Sequence, residues 1–264
     1  FCMASLYLMH PEDAVGKKAA ILNDCASAEP PTACEDVGEM LQESWGYVSG
    51  KELDAAKVRK ARLEELEYIK KINLYTKVLR SKAKAAGAKV ITVRWIDINK
   101  GDVDNPNYRS RLVAREINTS KRMDLFAATP PLEALKLVIA MMASGNKGEK
   151  LMVNNVSREF FCAPARRQVF VELPEEDQGD GDMVGELNYS MYGTRDAAQN
   201  WGEECADTMK ATGFEQGKAS PCTFFHKARN IRTYIHGDDF VSVPTDNELK
   251  SPKGPIEKKY KLKI

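Results

Sequence analysis

Asp238 and Asp239 stand side by side inside Thr233-Tyr-Ile-His-Gly-Asp-Asp-Phe-Val-Ser-Val243. Apolar and β-branched residues on both sides of the acids read as two strands, which puts the pair at the tip of a hairpin. Two carboxylates at one tight turn repel each other, and a cation between them removes that repulsion. In phosphoryl-transfer chemistry the cation is a pair of Mg²⁺ ions held by such carboxylates. Taken alone, the dipeptide also describes a plain Asp-Asp surface turn. The surrounding elements decide between these.

Several elements are legible around the pair. Residues 54–79 are rich in Lys, Arg, Glu, Leu and Ala, with Leu63, Leu66 and Ile69 at near-helical spacing, so an amphipathic helix is expected there, broken over Ala83 to Gly87. Val90–Ile98 and Tyr108–Arg115 flank a Gly101–Pro106 turn and read as a hairpin carrying Arg109, Arg111 and Arg115. Pro130-Pro131 opens an apolar helix over Leu132–Met142. Leu151–Val156 and Gln168–Leu173 read as short buried strands, and Arg195–Thr212 as a helix closed by Gly213. Cys222–His226 and Arg232–Val243 complete the strands, giving an α+β order without internal repeat. The acidic run Pro174–Asp182 is a candidate calcium loop, although it lacks the closing Glu of an EF-hand.

The bulk numbers are those of a globular chain: 264 residues, 43% hydrophobic and 29% charged. No run approaches the ~18 apolar residues of a membrane span, and Phe1–Met9 lacks the basic leader of a signal peptide. Cys2, Cys25, Cys34, Cys162, Cys205 and Cys222 show no Cys-x-x-Cys spacing and, with three histidines, complete no zinc pattern, so free thiols in a reducing compartment are expected. The Asn118 and Asn188 sequons carry little meaning without a secretory signal. The net charge of +1 conceals a segregation, with 19 basic against 9 acidic side chains over residues 51–122 and 2 against 8 over residues 1–50. A basic block between acidic flanks is a candidate polyanion surface, or a solvated helix face.

Four segments in order fit one scheme. Tyr108-Arg-Ser-Arg-Leu-Val-Ala-Arg115 is similar to the basic fingers strand of copia-type LTR-retrotransposon reverse transcriptases. Asn155-Val-Ser-Arg-Glu-Phe-Phe161 resembles their first catalytic motif, usually Asp-Val-x-x-Ala-Phe. Ser190-Met-Tyr-Gly-Thr-Arg-Asp-Ala-Ala-Gln-Asn-Trp201 resembles their Ser-Leu-Tyr-Gly-Leu-Lys-Gln-Ala-x-Arg-x-Trp signature, the most specific of the four. His236-Gly-Asp-Asp239 stands where the family carries Tyr-Val-Asp-Asp. Phe170–Glu175 and Asp124-Leu-Phe126 also fall where relatives have similar segments, and the resemblance runs over residues 54–264, about four fifths of the chain.

The resemblance implies a right-hand polymerase of fingers and palm, the palm a ferredoxin-like antiparallel sheet backed by helices. It divides the chain into a poorly defined lead-in (1–53), a fingers-like region (54–150), a palm (151–244) and the start of a thumb or connection (245–264). It implies RNA-directed DNA synthesis with two Mg²⁺ ions, for which Mn²⁺ can substitute. Asp238, Asp239 and position 155 would be the catalytic set, with the Val156 carbonyl a further metal ligand. Arg109 and Arg111 would meet the triphosphate, guanidinium forks matching phosphate oxygens. Phe160 would lie under the incoming sugar, while Tyr192, Gly193 and Arg195 would border nucleotide and template. The implied partners are an RNA or DNA template with primer, dNTPs, and the RNase H and integrase domains of a polyprotein, with no membrane. The implied location is the cytoplasm or, as for retrotransposon particles, the nucleus.

The sequence departs from the family at several points. Position 155 is Asn, which offers one neutral oxygen and an NH₂ donor in place of an anion. Glu159 replaces a small Ala, Gly237 adds freedom to a hairpin that should be rigid, and Pro252 and Pro255 interrupt the following helix. A domain whose fold outlasts its catalysis is therefore expected. Two other readings stand beside it: a binding remnant that holds primer-template through phosphate contacts, and a metal phosphohydrolase using His226, His236, Asp238 and Asp239. Trp201 is either a stacking platform or core.

Overall fold

In a computed structural model of the chain, residues 44–45, 52–102, 104–117, 125, 127–144, 149–245, 259–260 and 262–263 are described. All lie in the unit Gln42–Ile264. The lead-in up to residue 43, Asp124, Phe126, Pro252 and Pro255 lie outside the described residues.

Strands β1 (Ser44–Trp45) and β2 (Glu52–Leu53) pair antiparallel ahead of helix α1 (Ala55–Lys71). The Asp54 carboxylate caps the helix by accepting from the Lys57 N–H at 3.1 Å. The expected helix to residue 79 ends eight residues early. Asn73 adopts φ 52°, a conformation Asn tolerates, and Tyr75–Leu79 then forms strand β3 because its aromatic and β-branched residues suit a pleated ladder. The buried stripe of α1 is Val58, Ala61, Glu65, Leu66 and Ile69, and Leu63 faces solvent.

A short helix α2 (Arg80–Ala85) follows, then β4 (Val90–Ile91), β5 (Val93–Asn99) and β6 (Tyr108–Ala114). The single strand expected over residues 90–98 is thus two strands in two sheets. Helix α3 (Leu132–Ala143) begins directly after Pro131, as anticipated. Next come β7 (Met152–Val156), a 3₁₀ turn over Glu159–Cys162, β8 (Phe170–Val171) and β9 (Met183–Leu187). Helix α4 (Ala197–Ala211) precedes β10 (Glu215–Gln216), β11 (Thr223–His226), β12 (Ile231–His236), β13 (Asp239–Val243) and β14 (Leu262–Lys263).

The strands form a mixed α+β arrangement. One antiparallel sheet runs β10-β11-β12-β13-β7-β14; a second runs β3-β9-β8-β4, with β4 and β8 parallel; β5 and β6 form a separate hairpin. Residues alternate across the six-stranded sheet. Val156, Ile235 and Phe240 pack with Trp201, Cys205 and Met209 of α4 on one face. Tyr234, Val241 and Val243 pack with Val138 and Leu135 of α3 on the other. A further core joins Leu66 and Ile69 of α1 to Leu112 and Ala114 of β6, Phe161 and Met191.

Two polar links cross between distant segments. Three acids of the candidate calcium loop are taken by protein donors: buried Asp177 accepts from Lys70 (2.8 Å), Lys77 (3.0 Å) and the Tyr75 hydroxyl (2.7 Å). Glu176 pairs with Arg62 and Asp182 with Arg80. Despite its burial, those donors hold the Asp177 carboxyl below its usual range. The second link is Arg158, left-handed at φ 55°, whose guanidinium lies 2.6 Å from buried Glu65 and 4.1 Å over the Tyr68 ring. Arg158→Ala would leave the Glu65 charge buried without its partner. Because Arg158 keeps some water contact, the expected loss is about 2–3 kcal/mol, partly recovered by adding Glu65→Gln, as measured by urea unfolding.

Among the described residues Cys162, Cys205 and Cys222 are free thiols. Burial pushes Cys162 up to about 11 and Cys205 up to about 12. No helix among the described residues is long and apolar enough to cross a membrane.

Candidate active site

Strands β12 and β13 pair in the register His236↔Asp239, which leaves Gly237 and Asp238 as a two-residue turn. Gly237 has φ +60° and Asp238 is not left-handed, the sign pattern of a type II′ turn with Gly at its first position. The glycine therefore supplies a conformation in which a side chain would be strained. Its expected loosening of the hairpin is replaced by a turn requirement. Strand β13 pairs with β7 so that Asp239 lies opposite Asn155. The Asn155 Nδ2 donates to Asp238 Oδ2 at 2.5 Å and to Asp239 Oδ1 at 3.1 Å. The Val156 N–H donates to the Asp238 carbonyl at 2.8 Å. Asn155, Val156, Asp238 and Asp239, 84 residues apart at the Asn155–Asp239 contact, are thus brought together.

Two divalent ions need anionic oxygens around them. Here one of the three side chains points hydrogens into the gap between the other two, so the residues as they stand do not fit a two-ion site. Among the described residues no group of three or more His, Cys, Asp or Glu is placed to hold a metal. The phosphohydrolase set also comes apart. His226 pairs with Ile231 at the far end of β12 from His236, about 16 Å away at 3.3 Å per residue, and its ring packs edge-on against Phe214.

Arg111 and Arg109 share one face of β6. Arg111 is half-buried with its guanidinium 4.7 Å over the Tyr192 ring, whereas Arg109 is exposed one pleat further out. The Tyr192 hydroxyl donates to Glu159 Oε2 at 2.9 Å, and its ring lies 4.9 Å from Phe160 and 5.3 Å from Phe161. Burial pushes the Glu159 carboxyl above its usual range, against the hydrogen bonds it accepts, with Asp238 pushing the same way. Burial likewise pushes the Tyr192 phenol up, reinforced by the Glu159 charge. Phe160 is half-buried, touching both this cluster and the core under α4.

The segment from Ser190 to Trp201 is a buckle between these parts. Gly193 sits at φ +83°, and a Cβ there would lie 2.0 Å from the Ala114 carbonyl oxygen. Backbone bonds tie the segment to β6: the Ala114 N–H donates to the Tyr192 carbonyl at 2.7 Å. The Arg195 N–H donates to Glu116 at 2.8 Å, which also pairs with Arg167. Asn200 donates to Ser190 Oγ at 3.0 Å and to Asp196 at 3.2 Å, all three buried. Burial opposes ionisation of Asp196, but Arg167 holds its carboxyl below the usual range.

Trp201 is core, 3% exposed, with Tyr260 edge-on at 5.3 Å, and its indole N–H donates to the Gly237 carbonyl at 2.8 Å. The tryptophan of the signature thus props the acidic turn. Glu116, Arg167, Asn200 and Tyr260 had no sequence signal beyond the Asp196/Asn200 spacing. Trp201→Phe should cost about 1–3 kcal/mol by leaving a void in the core and removing the donor to the Gly237 carbonyl, lowering Tm by several degrees in a thermal melt.

Residues 75–264 match the family model described as Reverse transcriptase (RNA-dependent DNA polymerase). Over 215 residues, 77% of the chain, the sequence is 25% identical to a retrovirus-related Pol polyprotein from transposon TNT 1-94 of Nicotiana tabacum. The chain spans 16% of that relative's length.

Proposed function

This chain belongs to the reverse transcriptase (RNA-dependent DNA polymerase) family, and we propose that it is the polymerase domain of a copia-type retrotransposon polyprotein, with nucleotidyl transfer impaired at Asn155. The observation that carries the proposal is the meeting of Asp238, Asp239 and position 155 across β13 and β7. In this reading residues 151–244 are the palm, with α3 and α4 on the two faces of its sheet. Residues 54–150 are the fingers-like region, residues 245–264 begin a thumb or connection, and residues 1–53 are a lead-in.

The reaction is attack of a primer 3′ hydroxyl on the α-phosphate of a dNTP, templated by RNA or DNA, with pyrophosphate leaving. Reverse transcriptases of this family generally use divalent metal ions, and such ions neutralise charge on the phosphates. Asp238 and Asp239, with the Val156 carbonyl, would hold them only with an anion at position 155; as it stands the Asn155 amide donates into the gap between the two acids. Arg111, set over the Tyr192 ring beside Glu159, is the first candidate for the triphosphate, with Arg109 further along the strand. Phe160 would lie under the sugar, where a ring excludes a 2′ hydroxyl, and Tyr192, Gly193 and Arg195 would border the nucleotide and template. RNase H and integrase domains are the partners proposed within the polyprotein, and the cytoplasm or nucleus its place of action.

A second reading is favoured by the Asn155 amide bridging both acids: a scaffold that holds primer-template and does no chemistry. Binding of a labelled oligo-dT/poly-rA duplex, followed by fluorescence anisotropy over a salt series, tests what both share. A log-linear fall in affinity with salt is expected from phosphate contacts. Absence of binding at low salt sinks both. Slow Mg²⁺-dependent dTTP incorporation on the same duplex favours the impaired polymerase, and none favours the scaffold.

A further inference from the structure

We propose that the Asn155 amide takes the place of a cation between Asp238 and Asp239, so that the acidic hairpin is clamped by protein donors and the fold is indifferent to divalent metal. The inference rests on the reading above, in which these carboxylates belong to a metal-binding arrangement. Its basis is the geometry of one NH₂ group. An Asn amide has two hydrogens on nitrogen, and here that nitrogen lies within hydrogen-bonding distance of one oxygen on each carboxylate, 2.5 Å and 3.1 Å away. The opposite amide orientation would aim a carbonyl oxygen at two anions, so the neighbours fix which end faces them. The pairing is also charge-assisted, which strengthens each bond.

The clamp is braced on every side. Asp239 is registered against Asn155 along the β7–β13 ladder, the Val156 N–H holds the Asp238 carbonyl, and the Trp201 indole holds the Gly237 carbonyl. Each main-chain carbonyl of the two-residue turn therefore accepts from a protein donor without help from an ion. An Asp at position 155 would reverse this, since three carboxylates would meet in one gap with no donor among them. That arrangement needs a cation, whereas the one with Asn155 does not.

The test is thermal unfolding by circular dichroism, in EDTA and in millimolar MgCl₂, of the chain and of Asn155→Asp. The chain is expected to melt at the same temperature in both. Asn155→Asp is expected to melt at least ~5 °C lower in EDTA and to recover in MgCl₂. A rise in the unsubstituted chain's Tm with MgCl₂ overturns the proposal, as does an Asn155→Asp variant as stable as the parent in EDTA. Both results leave the metal-site reading intact. An Asn155→Asp variant that is destabilised but not restored by MgCl₂ overturns the proposal through the reading beneath it, because the acids then have no use for a cation.

If Asn155→Asp does not fold, Mn²⁺ binding to the unsubstituted chain decides, followed by electron paramagnetic resonance beside Asp238→Asn. No Mn²⁺ site that depends on Asp238 is expected. A site lost in Asp238→Asn overturns the proposal.

Discussion

Asn155→Asp is expected to raise Mg²⁺-dependent dTTP incorporation on oligo-dT/poly-rA by about 10²- to 10⁴-fold, equivalent to ~3–5 kcal/mol of transition-state stabilisation. The change replaces one atom group, so the backbone register opposite Asp239 should persist. It withdraws the hydrogens now directed at Asp238 and Asp239 and supplies a third anion in their place. Charge developing on the phosphates can be offset only if counter-ions are held against those oxygens, so with Mg²⁺ present the third carboxylate acts on the rate. Glu159 limits the gain, because its carboxyl lies on Tyr192 next to Arg111 and competes with a triphosphate for that side of the site. Side-by-side primer extension is the check. Equal rates for the two proteins would show that position 155 tolerates an amide and that the impairment lies elsewhere.

Gly193→Ala should be the most damaging substitution to the fold. At φ +83° a side chain costs about 1–2 kcal/mol from backbone conformation alone. The new Cβ would also meet the Ala114 carbonyl oxygen at 2.0 Å and Val113 Cγ1 at 2.7 Å. The carbonyl belongs to a strand and cannot swing away as a flexible side chain would. Forcing the two segments apart breaks the bond from the Ala114 N–H to the Tyr192 carbonyl and shifts the Tyr192 ring from under Arg111. The combined loss is about 3–5 kcal/mol, a fall in Tm of roughly 10 °C. A melt within ~2 °C of the parent would mean that the buckle yields.

The acidic hairpin was legible because its cues are local, apolar and β-branched residues on either side of Asp238-Asp239, although the turn falls on Gly237-Asp238 and Asp239 already begins β13. The same holds for the β5–β6 hairpin and for α3 and α4, with Pro131 and Gly213 marking their ends. Strand β9 was not legible. Met183–Leu187 is short, contains Gly185 and Glu186, and owes its conformation to β3 and β8 on either side. Strand β3 was absorbed into a helical pattern because the stop is carried by one Asn in a left-handed conformation. Within the site, the residue types pointed to the acids and to Tyr192, but not to what Gly193 or Trp201 touch. Those contacts reach 79 residues back in sequence from Gly193 to Ala114 and 36 forward from Trp201 to Gly237. Nor could composition foretell that the acids near residue 177 are spent on lysines and an arginine.

Strand β7 lies between β13 and β14, both of which come much later in the chain. The β12–β13 hairpin can close by itself in about 1–10 μs, whereas bringing β7 to it means closing a loop of some eighty residues. The acid pair is therefore made before the residue that clamps it arrives. Until then two like charges share an unbraced turn, and β13 presents a bare row of N–H and C=O groups. Such an edge accepts a strand from any other chain as readily as its own. Crowded, freshly made copies of this protein are thus most exposed to mispairing at the interval when the strand that begins with Asp239 still lacks its neighbour.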